Sequence, residues 1–275
     1  MQPPIDVVPL LPVLDVKLME LLHSLTPEDW CKPTVAKLWT VKDVVAHLLD
    51  GNIRILSMLR DGYMGEQVSI HSPQDLLDYL NRLNADWVKA MKRVSPSMLV
   101  LLHETTGHLY YEYYASLNPF EKSPFAVDWA GESESLNWMH IAREYTEKWL
   151  HQQQVRAALD NNELMTRELF YPFIDIFMLA LPHTYRNVQA REGTIVRVTV
   201  PGEIGGSWNL IRHAGKWILD KGELAAPASE IIIEAGDAWR LFSKSLAPVQ
   251  VKNRIEIKGD YHLGEVALSM VSVMA

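Results

Sequence analysis

A single cysteine, Cys31, in 275 residues excludes an intramolecular disulfide framework and any metal site built from several thiolates. Basic residues are outnumbered by acidic ones, 26 to 34, giving a formal charge of −8 and a pI near 5.7. A surface that tracks phosphates needs clustered Lys and Arg, so nucleic acid is not the expected partner. No apolar run approaches the ~18 residues that a membrane span requires. The longest, around Phe177 to Leu181, stops at Pro182. The opening MQPPIDVVPLLPVLDVK has no basic stretch ahead of an apolar core. A secretory signal is therefore not expected, and the chain is expected to be cytoplasmic. Internal repeats and low-complexity segments are also missing.

What is present is ordinary for a folded protein: 48% apolar residues, 22% charged, 14 Gly and 15 Pro. At about 150 residues per domain, the length fits one large domain or two modest ones.

The first two-thirds reads as helices. Ser72-Pro73 and Ser95-Pro96 each set a hydroxyl cap before a proline at the first helical position. Thr40-Val41-Lys42-Asp43 has capping-box spacing, with Asp in place of the usual Glu. Behind it Val44, Val45, Leu48, Ile55, Leu56 and Leu59 fall at helical spacing on one apolar face. Further helices fit Leu14 to Leu25, Leu76 to Val94, Met98 to Leu117 and Leu136 to Leu159. One more, Arg167 to Tyr185, is expected to bend or break at Pro172 and Pro182. Four or five antiparallel helices of this length make a bundle.

The texture changes near Gly193. Thr194 to Val200 alternates and is β-branched, and Trp208 to Arg212 and Lys216 to Leu219 flank a hairpin turn at His213-Ala214-Gly215. Ile231 to Ile233 and Val251 to Ile257 read as strands, Ala235 to Leu246 as a helix, and a last helix follows Gly259-Asp260. The expected fold class is α plus α+β: an up-and-down four-helix bundle over residues 1–190, then a small α+β domain over 191–275.

Glu147 and His151 are spaced i, i+4, which puts both on one helical face within reach of one ion. His47 lies on an earlier helix that an antiparallel bundle can set opposite them. Two imidazoles and one carboxylate suit zinc, nickel or ferrous iron with positions left open. The same spacing recurs at Glu104 and His108, however. His140, Glu144, Glu147, His151 and Gln154 also share one polar stripe, the usual mark of a solvated face. Spacing alone leaves both readings open.

A longer pattern favours the metal. Leu25-Thr26-Pro27-Glu28-Asp29-Trp30, Pro33-Thr34, and the run from Trp39 through Thr40, Val41, Lys42, Asp43 and His47 to Leu49 resemble the mycothiol-dependent maleylpyruvate isomerase family. That family is a branch of the DinB-like metal-binding four-helix bundles. Its later Glu-x-x-x-His matches Glu147-Lys148-Trp149-Leu150-His151. The resemblance implies His47, Glu147 and His151 as a metal-binding triad and spans roughly residues 10–160. Glu230 to Ile233, Asp237 to Phe242 and Ile255 to Asp260 look like parts of a sterol-carrier-like domain, which follows the bundle in that family.

The resemblance implies a metal-dependent enzyme, most readily with zinc. It would use a low-molecular-weight thiol such as mycothiol, bacillithiol or glutathione for isomerisation or thiol transfer on a small electrophilic substrate. Glu144 and His140 are candidates to orient a ligand or carry a proton, and Arg54 and Arg143 to hold a substrate anion by forked hydrogen bonds. Where family members often carry an Asp shortly after the ligand histidine, Gln152-Gln153-Gln154 follows His151. Gln154 can hydrogen-bond there but cannot act as a base. Two other readings stay open: a hydrolase on the same bundle with metal-activated water, and a non-enzymatic protein whose C-terminal domain binds a small molecule or lipid, as the sterol-carrier resemblance permits. Assembly is expected to be monomeric or homodimeric. Cys31 has no activating partner, and His71, His183, His213 and His262 have no evident role.

Overall fold

The computed structural model describes residues 2–66, 68–222 and 225–271, except for the side chain of Pro73. The chain divides into two compact units. The first runs to Glu121 and adds Glu147–Glu163, and the second comprises Lys122–Thr146 and the segment from Leu164 onward.

The first unit is a helical bundle. Its helices are α1 (Leu11–Ser24), α2 (Val41–Ile55), α3 (Pro73–Met91), α4 (Pro96–Ala115) and the C-terminal part of α5 (Asn137–Ala158). The caps read from the sequence are in place. Thr40 accepts from the Asp43 amide while Asp43 returns a bond to Thr40, and Ser72 and Ser95 accept from the amides of Asp75 and Met98. A π-helical turn, Leu56–Arg60, continues α2 without a break.

Leu18, Leu21 and Leu22 of α1 close one core with Val44, Val45, Leu48 and Leu49 of α2, Leu99 of α4 and Val155 of α5. Burial of these side chains contributes about 1.5–3 kcal/mol each relative to exposure. The surprise is α5, whose polar residues are inside: Gln152, Gln153, Gln154 and Arg156 are all buried. Arg156 is wholly enclosed and donates to the Lys17 carbonyl at 2.7 Å, to Asn161 at 2.9 Å and to Glu163 at 2.7 Å. Gln152 donates to the Leu14 carbonyl at 2.9 Å. The stripe that resembles a solvated face in sequence is also largely inside: His140, Glu144 and Gln154 are buried, the first two beside Arg143 and the third beside His151.

The second unit holds a five-stranded mixed sheet of order β3-β2-β1-β4-β5. The strands are β1 (Ile195–Val200), β2 (Gly206–His213), β3 (Lys216–Asp220), β4 (Ser229–Ile232) and β5 (Glu256–Gly259). β1 runs antiparallel to β2 and parallel to β4. Val196, Val198 and Val200 alternate inward from β1, as the period of two demands. The β2–β3 turn has Ala214 and Gly215 at φ of 49° and 72°, the doubly positive geometry that matches strand twist. From α6 (Arg167–Met178), Asp175 accepts from the Trp208 indole at 2.7 Å and pairs with Lys221 at 2.6 Å.

Three expectations change. Pro172 sits inside α6 without ending it, and the break comes after Met178, before α7 (Leu181–Thr184). The stretch expected as a strand from Val251 is helical at first. Pro248 opens a helical turn, Pro248–Val251, followed by a 3₁₀ turn, Lys252–Arg254, so pairing starts only at Glu256. The helix from Ala235 ends at Phe242, short of Leu246. The last helix is Tyr261–Glu265 with a 3₁₀ turn, Val266–Ser269, after it; residues 272–275 lie outside the described residues. Among the described residues no helix is long and apolar enough to cross a membrane.

Candidate metal centre

The capping box at Thr40 sets where α2 begins, and His47 follows in its second turn. The His47 ring packs against Trp39 at 4.9 Å between centroids and meets the edge of His151 at 4.5 Å, with the two imidazoles inclined at 77°. On α5, Nε2 of His151 lies 3.3 Å from Oε2 of Glu147, the i, i+4 pair that the helix brings together. One ligand atom from each of His47, Glu147 and His151 lies within 4.8 Å of the other two, and all three residues are half-buried. Among the described residues this is the only such cluster of three.

The donor chemistry fits a first-row divalent cation. Two imidazole nitrogens and a carboxylate are zinc-type ligands, and ligands about 2.1 Å from a tetrahedral centre stand about 3.4 Å apart. Small side-chain rotations close that difference. Burial, and after it the neighbouring His151, Arg54 and Lys148, hold the His47 pKa well below its ordinary value. The ring is therefore neutral at pH 7 and offers a lone pair. Its Nδ1 is buried with no hydrogen-bond partner, a costly state that a ligand relieves. His151 Nδ1 stands 2.9 Å from Oε1 of Gln154. That oxygen only accepts, so the neutral form of the ring keeps its proton on Nδ1 and turns the Nε2 lone pair toward Glu147.

The contrast with the second Glu/His pair is direct. Glu104 reaches back to His23 at 3.0 Å in a solvent-exposed contact, and His108 is exposed. Identical spacing thus yields a surface contact on α4 and a convergent cluster on α5. The difference is the imidazole that α2 supplies.

The remaining candidates fall in two places. Arg54 lies on α2 seven residues beyond His47, loosely paired with Asp50 at 3.7 Å and partly exposed. Its charge is among those felt by His47. Arg143, Glu144 and His140 come together with one another: Arg143 pairs with Glu144 and contacts His140 Nδ1 at 3.3 Å. His140 is fully buried, with its pKa pushed down to about 4 by burial and by Arg143. Sequence reasoning passed over Lys148, although it lies beside Glu147. Its ammonium donates to the Leu48 carbonyl at 3.1 Å and to Asn52, and sits 4.3 Å from the Tyr110 ring. No sequence signal separates such a lysine from a solvated one.

Residues 12–156 match the family model described as the mycothiol maleylpyruvate isomerase N-terminal domain. No curated protein matches the chain. Among solved structures, that of the mycothiol-dependent maleylpyruvate isomerase aligns with a TM-score of 0.47, and that of an alanine mutant of the same enzyme with 0.49. Each is 10% identical, and each alignment covers 87% of this chain and 88% of the other.

Proposed function

Because the chain belongs to the family of the mycothiol maleylpyruvate isomerase N-terminal domain, we propose that it is a metal-dependent enzyme. In this reading it uses a low-molecular-weight thiol to isomerise, or to modify, a small electrophilic substrate. The observation that carries the reading is the convergence of His47, Glu147 and His151 from α2 and α5. These three would hold the metal, zinc being the simplest match to their donor atoms. A divalent cation held by two neutral imidazoles and one carboxylate keeps net positive charge, and so favours the thiolate of a thiol at neutral pH.

The protein's own part is positional. His47 is kept neutral by its burial, and Gln154 fixes the His151 proton on the ring nitrogen that faces away from Glu147. Of the two candidate arginines, Arg54 is the one whose charge reaches His47, which supports it as the group that holds a substrate carboxylate. Gln154 has no titratable proton, so a proton moved during the reaction travels on another group.

Protein purified without chelator is expected to carry close to one metal per chain. His47→Ala and His151→Ala are expected to lose it. Unchanged metal content in both variants would sink the triad. With metal in place, activity toward an unsaturated or otherwise electrophilic acid is expected only when a thiol is added, and mycothiol, bacillithiol and glutathione should be compared. Chelator-sensitive hydrolysis without any thiol would move the assignment to a hydrolase.

A further inference from the structure

Three side chains from three different helices donate hydrogen bonds to the backbone of α2 within the turn that carries His47. Nε2 of His103, on α4, is 3.0 Å from the carbonyl oxygen of Val45. The indole N–H of Trp87, on α3, donates to the carbonyl of Ala46 at 2.8 Å. The Lys148 ammonium, on α5, donates to the carbonyl of Leu48 at 3.1 Å. Carbonyls inside an α-helix already accept from the amide four residues on, so each of these is a second bond to the same oxygen.

The donors are built in. His103 is completely enclosed. Burial holds its pKa down to about 4, so the neutral ring has one N–H, and the Val45 carbonyl assigns it to Nε2. That leaves Nδ1 buried without a partner, a penalty that a leucine at this position would not carry. Lys148 is further tied through Asn52, whose Nδ2 donates to Thr106 of α4 at 3.0 Å.

Apolar packing is non-directional and leaves a helix some freedom to turn about its axis, whereas a hydrogen bond to a named carbonyl does not. A side-chain nitrogen rides several ångströms from that axis, so a 10° turn of α2 displaces it by about 1 Å. Metal–ligand distances tolerate only about 0.2 Å. We propose that His103, Trp87 and Lys148 are positioning residues that jointly fix the rotation and height of α2, so that His47 faces Glu147 and His151. The inference rests on the metal-centre reading of that triad.

The test uses the full chain loaded with cobalt(II), read by its visible absorption and by competition against a chelator of known affinity. Trp87→Phe, Lys148→Met and His103→Leu are compared with the parent. Tyr185→Phe is the control, since it deletes a bond to the Leu263 carbonyl, 2.8 Å long, in the other compact unit. Each of the three variants is expected to keep the parental far-ultraviolet spectrum while cobalt affinity falls about tenfold and the absorption band shifts. The control is expected to lower the unfolding midpoint and leave both cobalt readouts alone. Affinities within about twofold of the parent and an unchanged band in Trp87→Phe and Lys148→Met overturn the proposal. Trp87→Phe deletes the indole N–H while keeping an aromatic ring at a half-buried position, so it decides the matter even if another variant fails to fold. Parental cobalt binding in His47→Ala and His151→Ala, or none in the parent, overturns the metal centre itself and this inference with it.

Discussion

His151 presents Nε2 toward Glu147 at 3.3 Å while Gln154 holds its Nδ1 at 2.9 Å. An acceptor behind a ligating imidazole fixes its tautomer, and losing such a partner typically weakens metal binding 10–100-fold. Gln154→Leu, a buried near-isostere, is therefore expected to weaken metal affinity by about tenfold with the fold retained, measured by chelator competition. Gln154→Glu keeps an acceptor and is expected to hold affinity near the parent's. A second residue-scale consequence concerns pH. Burial lowers the folded-state pKa of His103 to about 4, below the ~6.5 of an unfolded histidine. Between those values the unfolded chain binds the extra proton. The associated stability is thus present above pH 6.5 and is lost as the pH falls toward 4, by roughly 3 kcal/mol in full. Urea midpoints of metal-free protein should fall across that window, and His103→Leu should fall less steeply.

Among the elements, α2 carries the most consequence for the least sequence. Its start is set by Thr40 and Asp43, and a lost cap of this kind costs about 1–2 kcal/mol. Thr40→Ala is expected to lower stability by that amount, and to loosen metal binding because the frayed turn leads directly into His47. On the sheet side, Asp175→Ala strips the buried Trp208 indole of its acceptor and should cost about 1–3 kcal/mol by denaturant unfolding. The helix starts and the β2–β3 turn were legible because their cues are local: a hydroxyl before proline, a capping box, a short turn between alternating segments. Pro248 follows Ala247, which offers no hydroxyl cap, and the β-branched residues around Val251 read as strand, so the helical turn there has no such cue. The Glu147/His151 pair was legible only in company with His47, since Glu104 and His108 show what the bare spacing yields. Lys148, Trp87 and His103 were not legible at all. Their partners are backbone carbonyls, which leave no mark in a sequence.

For the molecule as a whole, two compact units mean two cores, and all three candidate ligands belong to the first. Unfolding is therefore expected in two transitions, since chains with separate cores and bound metals depart from two-state behaviour. At metal a thousand times its Kd, the site's unit gains about 4 kcal/mol, and the other unit gains nothing. Urea titrations with and without chelator should shift one transition only, and equal shifts in both would contradict this assignment. The buried polar face of α5 has its own consequence for biosynthesis. As the chain leaves the ribosome, α1 to α4 emerge first, but the side chains of Gln152 and Arg156 that clasp the Leu14 and Lys17 carbonyls are made well over a hundred residues later. Closure of the bundle is accordingly a late, long-range event. Until translation passes residue 156, the nascent helices hold an open seam, and a histidine waits there for the two partners that complete it.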